Sequence, residues 1–311
     1  MNAIPSRLRI ATRESRLAMR QTTMVAAALA ARHRGLAVEV VGMTTRGDQV
    51  LDRPLAQIGG KGLFVKELEV AIDEGRADIA VHSLKDVPMQ IPAQFALATF
   101  GPREDPRDAF VSARYASLAS MPPGAVVGTS SLRRECQLRA LYPTLAFRAL
   151  RGNVNTRLAK LDAGDYDAII LAAAGLKRLD LSARIRATLD QTIPAIGQGI
   201  LAVEYRRERA DLAALLEEFE TPEAACAARA ERALGLVVEG SCEVPVGALA
   251  RVAAGKVVLE GFIGMPDGTR LVRDHASGRC EDAQSLGVAL GEKLLAAGGR
   301  EILKNLAGVG A

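Results

Sequence analysis

Short apolar runs alternate with amphipathic stretches through the first two-thirds of the chain. Leu8-Arg9-Ile10 opens the pattern and leads into helical periodicity over about Leu17 to His33. Val38 to Val41 reads as a strand, Leu63 to Glu74 as a helix and Asp78 to Val81 as a strand. Val126-Val127 precedes a helix near Leu132 to Leu141, and the strands Leu145 to Leu150 and Ala168 to Leu171 flank a helix at Thr156 to Ala163. This βαβα rhythm predicts α/β units with mainly parallel sheets. From about Thr221 the pattern changes. A helix over Ala224 to Leu234 precedes strands near Val257 to Gly264 and Arg270 to Asp274, joined by the turn sequence Pro266-Asp267-Gly268-Thr269, and a last helix covers Ala283 to Ala296. That order predicts a small α+β unit.

Two interruptions divide the pattern. Gly-Pro-Arg-Glu-Asp-Pro-Arg at 101–107 and Ile-Pro-Ala-Ile-Gly-Gln-Gly at 193–199 both read as crossings between domains. Two crossings imply a middle domain inserted into the first. The expected division is 1–101 with 198–219, then 106–194, then 222–311.

Composition adds bounds. With 311 residues, two or three domains are expected, and 49% hydrophobic content suits a globular chain. Aromatic residues are only 4% and Trp is absent, so the core must rest on Leu, Val, Ile and Ala. A net charge of +4 permits an anionic ligand but gives no argument for nucleic acid. No apolar run is long enough to span a bilayer, and Met1 to Arg9 lacks the pattern of an export signal. Cys136, Cys226, Cys242 and Cys280 form no C-x-x-C pair, so reduced thiols in the cytoplasm are expected. His33, His82 and His275 are too dispersed for a His-based metal site, and none is expected.

In open parallel sheets ligands bind beyond the carboxyl ends of the strands. Here those ends share one chemistry. Thr12, Arg13 and Ser15 follow the first strand, and His82, Ser83, Lys85 and Asp86 follow Ile79-Ala80-Val81. Thr129, Ser130, Ser131, Arg133 and Arg134 follow Val126-Val127-Gly128; Arg151, Asn153 and Arg157 follow Leu150; Lys177 and Arg178 follow Ile170-Leu171. Hydroxyls and free N–H groups at helix starts attract anions, and Arg offers a fork that fits a carboxylate. One such end is usually a capped helix with a solvated charge, whereas five suggest a cleft for a polyanion. Asp86 is the acid among them, suited to stabilising a cation or moving a proton, though a surface pair with Lys85 would explain it equally. Gly59-Gly60-Lys61-Gly62 lacks the spacing of a phosphate loop. Cys242 stands in Glu239-Gly240-Ser241-Cys242-Glu243-Val244-Pro245, a loop-like run that can present a thiol or carry an incidental one.

Taken together these segments resemble the porphobilinogen deaminase family. The resemblance lies in Ala11-Thr12-Arg13, Thr45-Arg46-Gly47-Asp48, Gly59 to Phe64, His82-Ser83-Leu84-Lys85-Asp86-Val87-Pro88, Thr129 to Arg134, Arg151-Gly152-Asn153-Val154, Gly197-Gln198-Gly199 and the Cys242 loop. It extends from about Leu8 to the last helix. It implies two periplasmic-binding-protein-like domains plus a small C-terminal α+β domain, whose loop reaches the cleft. It implies an enzyme that condenses four porphobilinogen molecules head-to-tail, with loss of ammonia, onto a covalently bound dipyrromethane, and releases hydroxymethylbilane by hydrolysis. By the same resemblance Cys242 carries the dipyrromethane as a thioether, and Asp86 stabilises positive charge on the pyrroles. Ser83, Lys85, Thr129, Ser131, Arg133, Arg134 and Arg157 bind cofactor carboxylates. Arg13, Ser15, Arg151, Arg178 and Gln198 line the substrate side, while Lys61 and Phe64 flank a lid at about 48–60. A monomer is the family expectation. The chain departs from the family at Gly-Ser-Cys-Glu, commonly Gly-Gly-Cys-Gln, and at Gln57, where some relatives carry Lys. Ser241 restricts a backbone that Gly leaves free, and Glu243 adds negative charge beside an anionic group. The competing readings are a solute-binding or effector-sensing protein on the same scaffold, which would need the Arg cleft but not Cys242, and a nucleotide-using enzyme, against which the failed loop spacing counts.

Overall fold

The computed structural model describes residues 5–45, 62, 65–238 and 244–309, the last three as backbone. Lys61, Phe64, Cys242 and the lid expected at about 48–60 lie outside the described residues.

The first lobe begins with β1 (Arg7–Arg13), α1 (Arg16–Arg32), β2 (Ala37–Met43), α2 (Lys66–Asp73), β3 (Ile79–Ser83) and β4 (Phe95–Phe100). The chain crosses to a second lobe of β5 (Asp108–Val111), β6 (Val126–Gly128), α3 (Leu132–Leu141), β7 (Ala146–Arg148), α4 (Val154–Asp162), β8 (Ala168–Ala172), α5 (Ala173–Arg178) and β9 (Ala187–Leu189). It returns to the first lobe through β10 (Leu201–Arg206) and α6 (Ala210–Glu217). A third unit follows, with α7 (Pro222–Val237), β11 (Val246–Ala253), β12 (Lys256–Gly264), β13 (Leu271–Arg279), α8 (Ala283–Leu294) and α9 (Arg300–Val309).

The two large sheets are built alike. Their strand orders are β2-β1-β3-β10-β4 and β7-β6-β8-β5-β9, and the third unit carries the antiparallel meander β11-β12-β13. In each large sheet four strands run one way and one runs against them, so both sheets are mixed. Like β4 and β9 in the same sheets, the opposing strands β10 and β5 are not among the strands that sequence periodicity predicts. Each is the first strand after a crossing, and so enters its sheet from the opposite end to the βα units.

Alternation decides which faces are buried. On β1, Leu8 and Ile10 are fully buried and pack with Val25 and Leu29 of α1, Ile79 and Val81 of β3, and Val203 of β10. The second lobe buries Phe110, Val127, Leu138 and Ile170 in the same way. The third unit packs Leu234 against Leu259, Ile263, Leu290 and Leu294. Helix starts follow the side-chain rules: Ser15, Asn153 and Thr221 cap α1, α4 and α7, and Pro222 occupies the first turn of α7.

All three units meet at one buried carboxylate. Glu231 of α7 accepts from Arg103 Nη1 at 2.5 Å and Nη2 at 3.3 Å, from the Gly197 N–H at 2.7 Å and from the Ala250 N–H at 2.7 Å. It therefore ties the first crossing, the second crossing and β11 together. The crossings touch at Gly199, where φ is +92° and an added Cβ would lie 2.2 Å from the Glu104 carbonyl oxygen. Only glycine fits such a close approach. Glu231→Ala leaves a largely buried guanidinium and two N–H groups unpaired. It should lower the unfolding free energy by about 3–5 kcal/mol, measured by urea denaturation.

Candidate active site

The end of β3 turns directly into a single 3-10 turn, Leu84–Asp86. The Leu84 N–H donates to the Ile200 carbonyl at 2.9 Å, which fastens the turn to the start of β10. Ser83 Oγ accepts from Gln21 Nε2 at 2.8 Å. A pocket at this point is lined by Arg13, Ser15, Gln21, His82, Ser83 and Asp86. The Asp86 carboxylate is exposed and makes no ion pair within hydrogen-bonding reach among the described residues, its charge acting on Lys85 and Arg157. The surface pair with Lys85 is thus not formed.

The end of β6 supplies the other half. Thr129 is buried, and its Oγ1 accepts from the Ser131 N–H at 3.2 Å. Ser131 precedes α3 without capping it, so its hydroxyl does not satisfy the first N–H groups of the helix. Arg133 and Arg134, one turn in, are buried and converge on Asp108 at the head of β5. Arg133 reaches its two oxygens at 2.8 and 3.0 Å, and Arg134 Nε reaches Oδ1 at 2.9 Å. Asp108 is held well below the usual carboxylate range: its own burial opposes ionisation, but the two guanidiniums outweigh that. Gln198 joins the group, donating from Nε2 to Asp108 at 2.9 Å while its Oε1 accepts from Lys85 Nζ at 3.5 Å.

The cluster carries more cations than it can neutralise. Among the described residues, Lys85, Arg133, Arg134, Arg151 and Arg157 share it with Asp86 and Asp108, five positive charges against two negative. Lys85 keeps a path to solvent, yet burial and the nearby guanidiniums lower its amine to about 8. Burial and the charges of Arg134 and Arg151 lower Arg157 to about 10. Arg157 Nε donates to the Gly152 carbonyl at 2.7 Å, while Arg151 donates its side chain to no described group. Arg178 stands further along, donating to the Gly199 carbonyl at 2.7 Å; burial lowers it to about 10. Chemically this is a receptor for several carboxylates beside one exposed acid able to stabilise a cation.

Two residues of the cluster escape a reading of strand ends. Asp108 leads an apolar strand, Asp-Ala-Phe-Val, and an acid heading a buried run was the available signal. Gln21 sits mid-helix on α1 and gives no local signal. Beneath the pocket lies a buried acidic floor. His82 Nε2 is 3.1 Å from Glu204 Oε2, and burial, then the Glu204 charge, raise Glu69 on α2 to about 7. A carboxyl raised on folding binds its proton more tightly in the folded chain. Its contribution to stability is therefore full below pH about 4.5 and is lost as pH rises through about 7. Glu69→Gln removes that loss. Between pH about 5 and 8 the melting temperature of the parent chain should fall relative to that of the variant, and parallel curves would contradict this.

Comparison with known proteins gives a consistent result. The family model described as porphobilinogen deaminase, dipyromethane cofactor binding domain, matches residues 8–214, and that described as porphobilinogen deaminase, C-terminal domain, matches 225–296. A porphobilinogen deaminase of Thiobacillus denitrificans is 56% identical over 301 residues, covering 96% of this chain and 98% of its own. Another, of Chromobacterium violaceum, is 56% identical over 296 residues, covering 94% and 96%. Among solved structures, the methionine binding protein MetQ aligns with TM-score 0.44 at 14% identity, over 73% of this chain and 95% of its own. A nutrient binding protein from Burkholderia cenocepacia bound to methionine aligns with TM-score 0.43 at 14% identity, over 70% and 93%. Both family models fall in order along one chain, and the identity to whole relatives is sustained from end to end, so the chain belongs to the porphobilinogen deaminase family.

Proposed function

We propose that the cleft between the ends of β3 and β6 is where this chain condenses porphobilinogen, with Asp86 as the catalytic group. The reaction is that of a transferase in tetrapyrrole synthesis: four porphobilinogen units join head-to-tail with loss of ammonia, and hydroxymethylbilane is released by hydrolysis. The observation that carries the reading is the surplus of cations around a single exposed carboxylate. Porphobilinogen has one acetate and one propionate arm, so each pyrrole brings two negative charges.

The residues present also fit a resident dipyrromethane. Arg133 Nε is buried without a hydrogen-bond partner among the described residues, and Lys85 and Arg157 are cations depressed by burial and by neighbouring guanidiniums. Carboxylates placed there would relieve both conditions. Lys85, Ser83, Thr129, Ser131, Arg133, Arg134 and Arg157 would hold the group's acid arms, and Cys242 its thioether. When bound, a dipyrromethane supplies the nucleophilic pyrrole carbon that receives each new unit. Arg133 and Arg134 already spend most of their donors on Asp108, so Lys85, Arg157 and the start of α3 have the greater free capacity.

Asp86 would face the pyrrole N–H groups and stabilise their positive charge as ammonia departs, a role for a fixed anion. Arg13, Ser15 and Gln198 orient the incoming substrate with Arg151 and Arg178; Lys61 and Phe64, outside the described residues, are assigned to the substrate by the family resemblance alone. The domain bounds 1–101 with 198–219, 106–194 and 222–311 follow the grouping of the sheets. We further propose that the enzyme works as a cytoplasmic monomer, independent of membrane and nucleic acid. The free thiols of Cys136, Cys226 and Cys280 suit a reducing compartment. No helix among the described residues is long and apolar enough to cross a membrane.

Intact mass gives the first test. The purified protein should carry the added mass of a two-pyrrole unit, absent from Cys242→Ala; an unmodified chain that turns over porphobilinogen would sink the assignment. Asp86→Asn should keep its fold and its adduct yet lose condensation by about a hundredfold or more. Near-normal turnover would remove Asp86 from the mechanism.

A further inference from the structure

The floor beneath Asp86 holds a buried pair that the condensation itself leaves unused. His82 is the fourth residue of β3, and Glu204 lies diagonally across from it on β10, since Ala202 pairs with His82 and Glu204 with Ala80. His82 Nε2 and Glu204 Oε2 are 3.1 Å apart, and Glu204 is fully buried. The second oxygen, Glu204 Oε1, has no hydrogen-bond partner among the described residues. The other charges acting there are Glu69 of α2 and Arg232 of α7. Arg232 Nη2 donates to the Pro88 and Met89 carbonyls at 2.8 Å, and its Nη1 is also buried without a partner.

Such a pair does little for stability. A buried carboxylate with an unused oxygen bears a large desolvation cost, and replacing buried ion pairs by apolar side chains is often neutral or stabilising. Its location gives it another use. Ser83, Lys85 and Asp86 all project from the strand end that His82 anchors. Successive side chains of a strand point to opposite faces, so Glu204 grips His82 on one face while Gln21 grips Ser83 on the other. Between them the strand end is clamped from both sides just before the Asp86 turn.

We propose that Glu204 is a positioning residue for the condensation, holding His82 so that the Leu84–Asp86 turn presents Asp86 at a fixed place in the pocket. The proposal rests on the role given to Asp86 above. Without the Glu204 tie, the turn stays fastened through the Leu84 N–H to the Ile200 carbonyl, but its orientation loosens. Lys85 rides on the same turn, but the other carboxylate-binding cations, most of them in the second lobe, are untouched, so substrate affinity changes less than the rate of the chemical step.

The test compares holoenzymes carrying Glu204→Leu, Glu204→Gln, His82→Asn and the Glu204→Leu/His82→Asn pair, each with intact mass, melting temperature and steady-state kinetics. In Glu204→Leu the two-pyrrole adduct should be present and the chain folded at the assay temperature, although His82 and Arg232 lose a buried partner and the melting temperature falls. Its kcat should fall about ten- to a hundredfold with a smaller change in KM, as expected for a displaced catalytic group. Glu204→Gln keeps an acceptor facing His82 and should recover most of kcat. Adding Glu204→Leu to His82→Asn should cost no more than His82→Asn alone. A parent-like kcat in Glu204→Leu, additive losses in the double variant, or a fall in kcat matched by lost folding or lost adduct would each overturn the positioning role. Asp86→Asn measured alongside separates the two claims. If Asp86→Asn is inactive and Glu204→Leu is normal, only the positioning role falls; if Asp86→Asn is active, the reading of Asp86 falls with it.

Discussion

Asp108 carries the electrostatics of the whole cleft. It is the first residue after the crossing into the second lobe and is completely buried, with Arg133 and Arg134 converging on it. One buried carboxylate facing two guanidiniums leaves a positive remainder, and water is not there to disperse it. The remainder is extended through Gln198, whose amide donates to Asp108 and whose carbonyl receives Lys85. A cationic second lobe and the acid-bearing strand end of the first are thereby wired into one field. The same carboxylate anchors the start of α3 through Arg133 and Arg134.

The mechanical frame uses the opposite solution. At Glu231 four donors meet one acid, and the charge is locally satisfied. Nothing there invites a ligand, and nothing in the comparison of charges suggests one. The contrast between the two buried acids separates a joint from a receptor: one is saturated with donors, the other sits in a surplus of cations.

Much of this was legible from local pattern. Helix α3 has the bounds that its periodicity predicts, and α1 differs by one residue at each end. The strand-end cations were legible too, because a βα turn concentrates its chemistry within a few residues. What depends on distant contacts was not. β5 has four residues, and β10 buries Glu204 in its middle, which breaks the alternation that marks a strand. Their reversed direction is set by the crossings, not by their own residues. Asp108 finds Arg133 and Arg134 across 25 and 26 positions, and Gln21 finds Ser83 across 62. No window of sequence contains such pairs. The α+β character of the third unit was clear, but β11 was hidden behind the Cys242 loop, whose own chemistry drew the attention.

The antiparallel course of β10 has a consequence for how the chain can vary. From Gln198 to Glu204 the segment serves four partners in turn: Asp108 and His82 through the Gln198 and Glu204 side chains, Arg178 and Leu84 through the Gly199 and Ile200 carbonyls. Strand side chains alternate faces with a period of two, so a slip of one position turns every one of them over. A single inserted or deleted residue in this stretch would swing Glu204 out of the floor while Gln198 remained anchored in the second lobe. The length of the segment is thus as constrained as its composition, because the count of residues sets the spacing between the two lobes' fastenings.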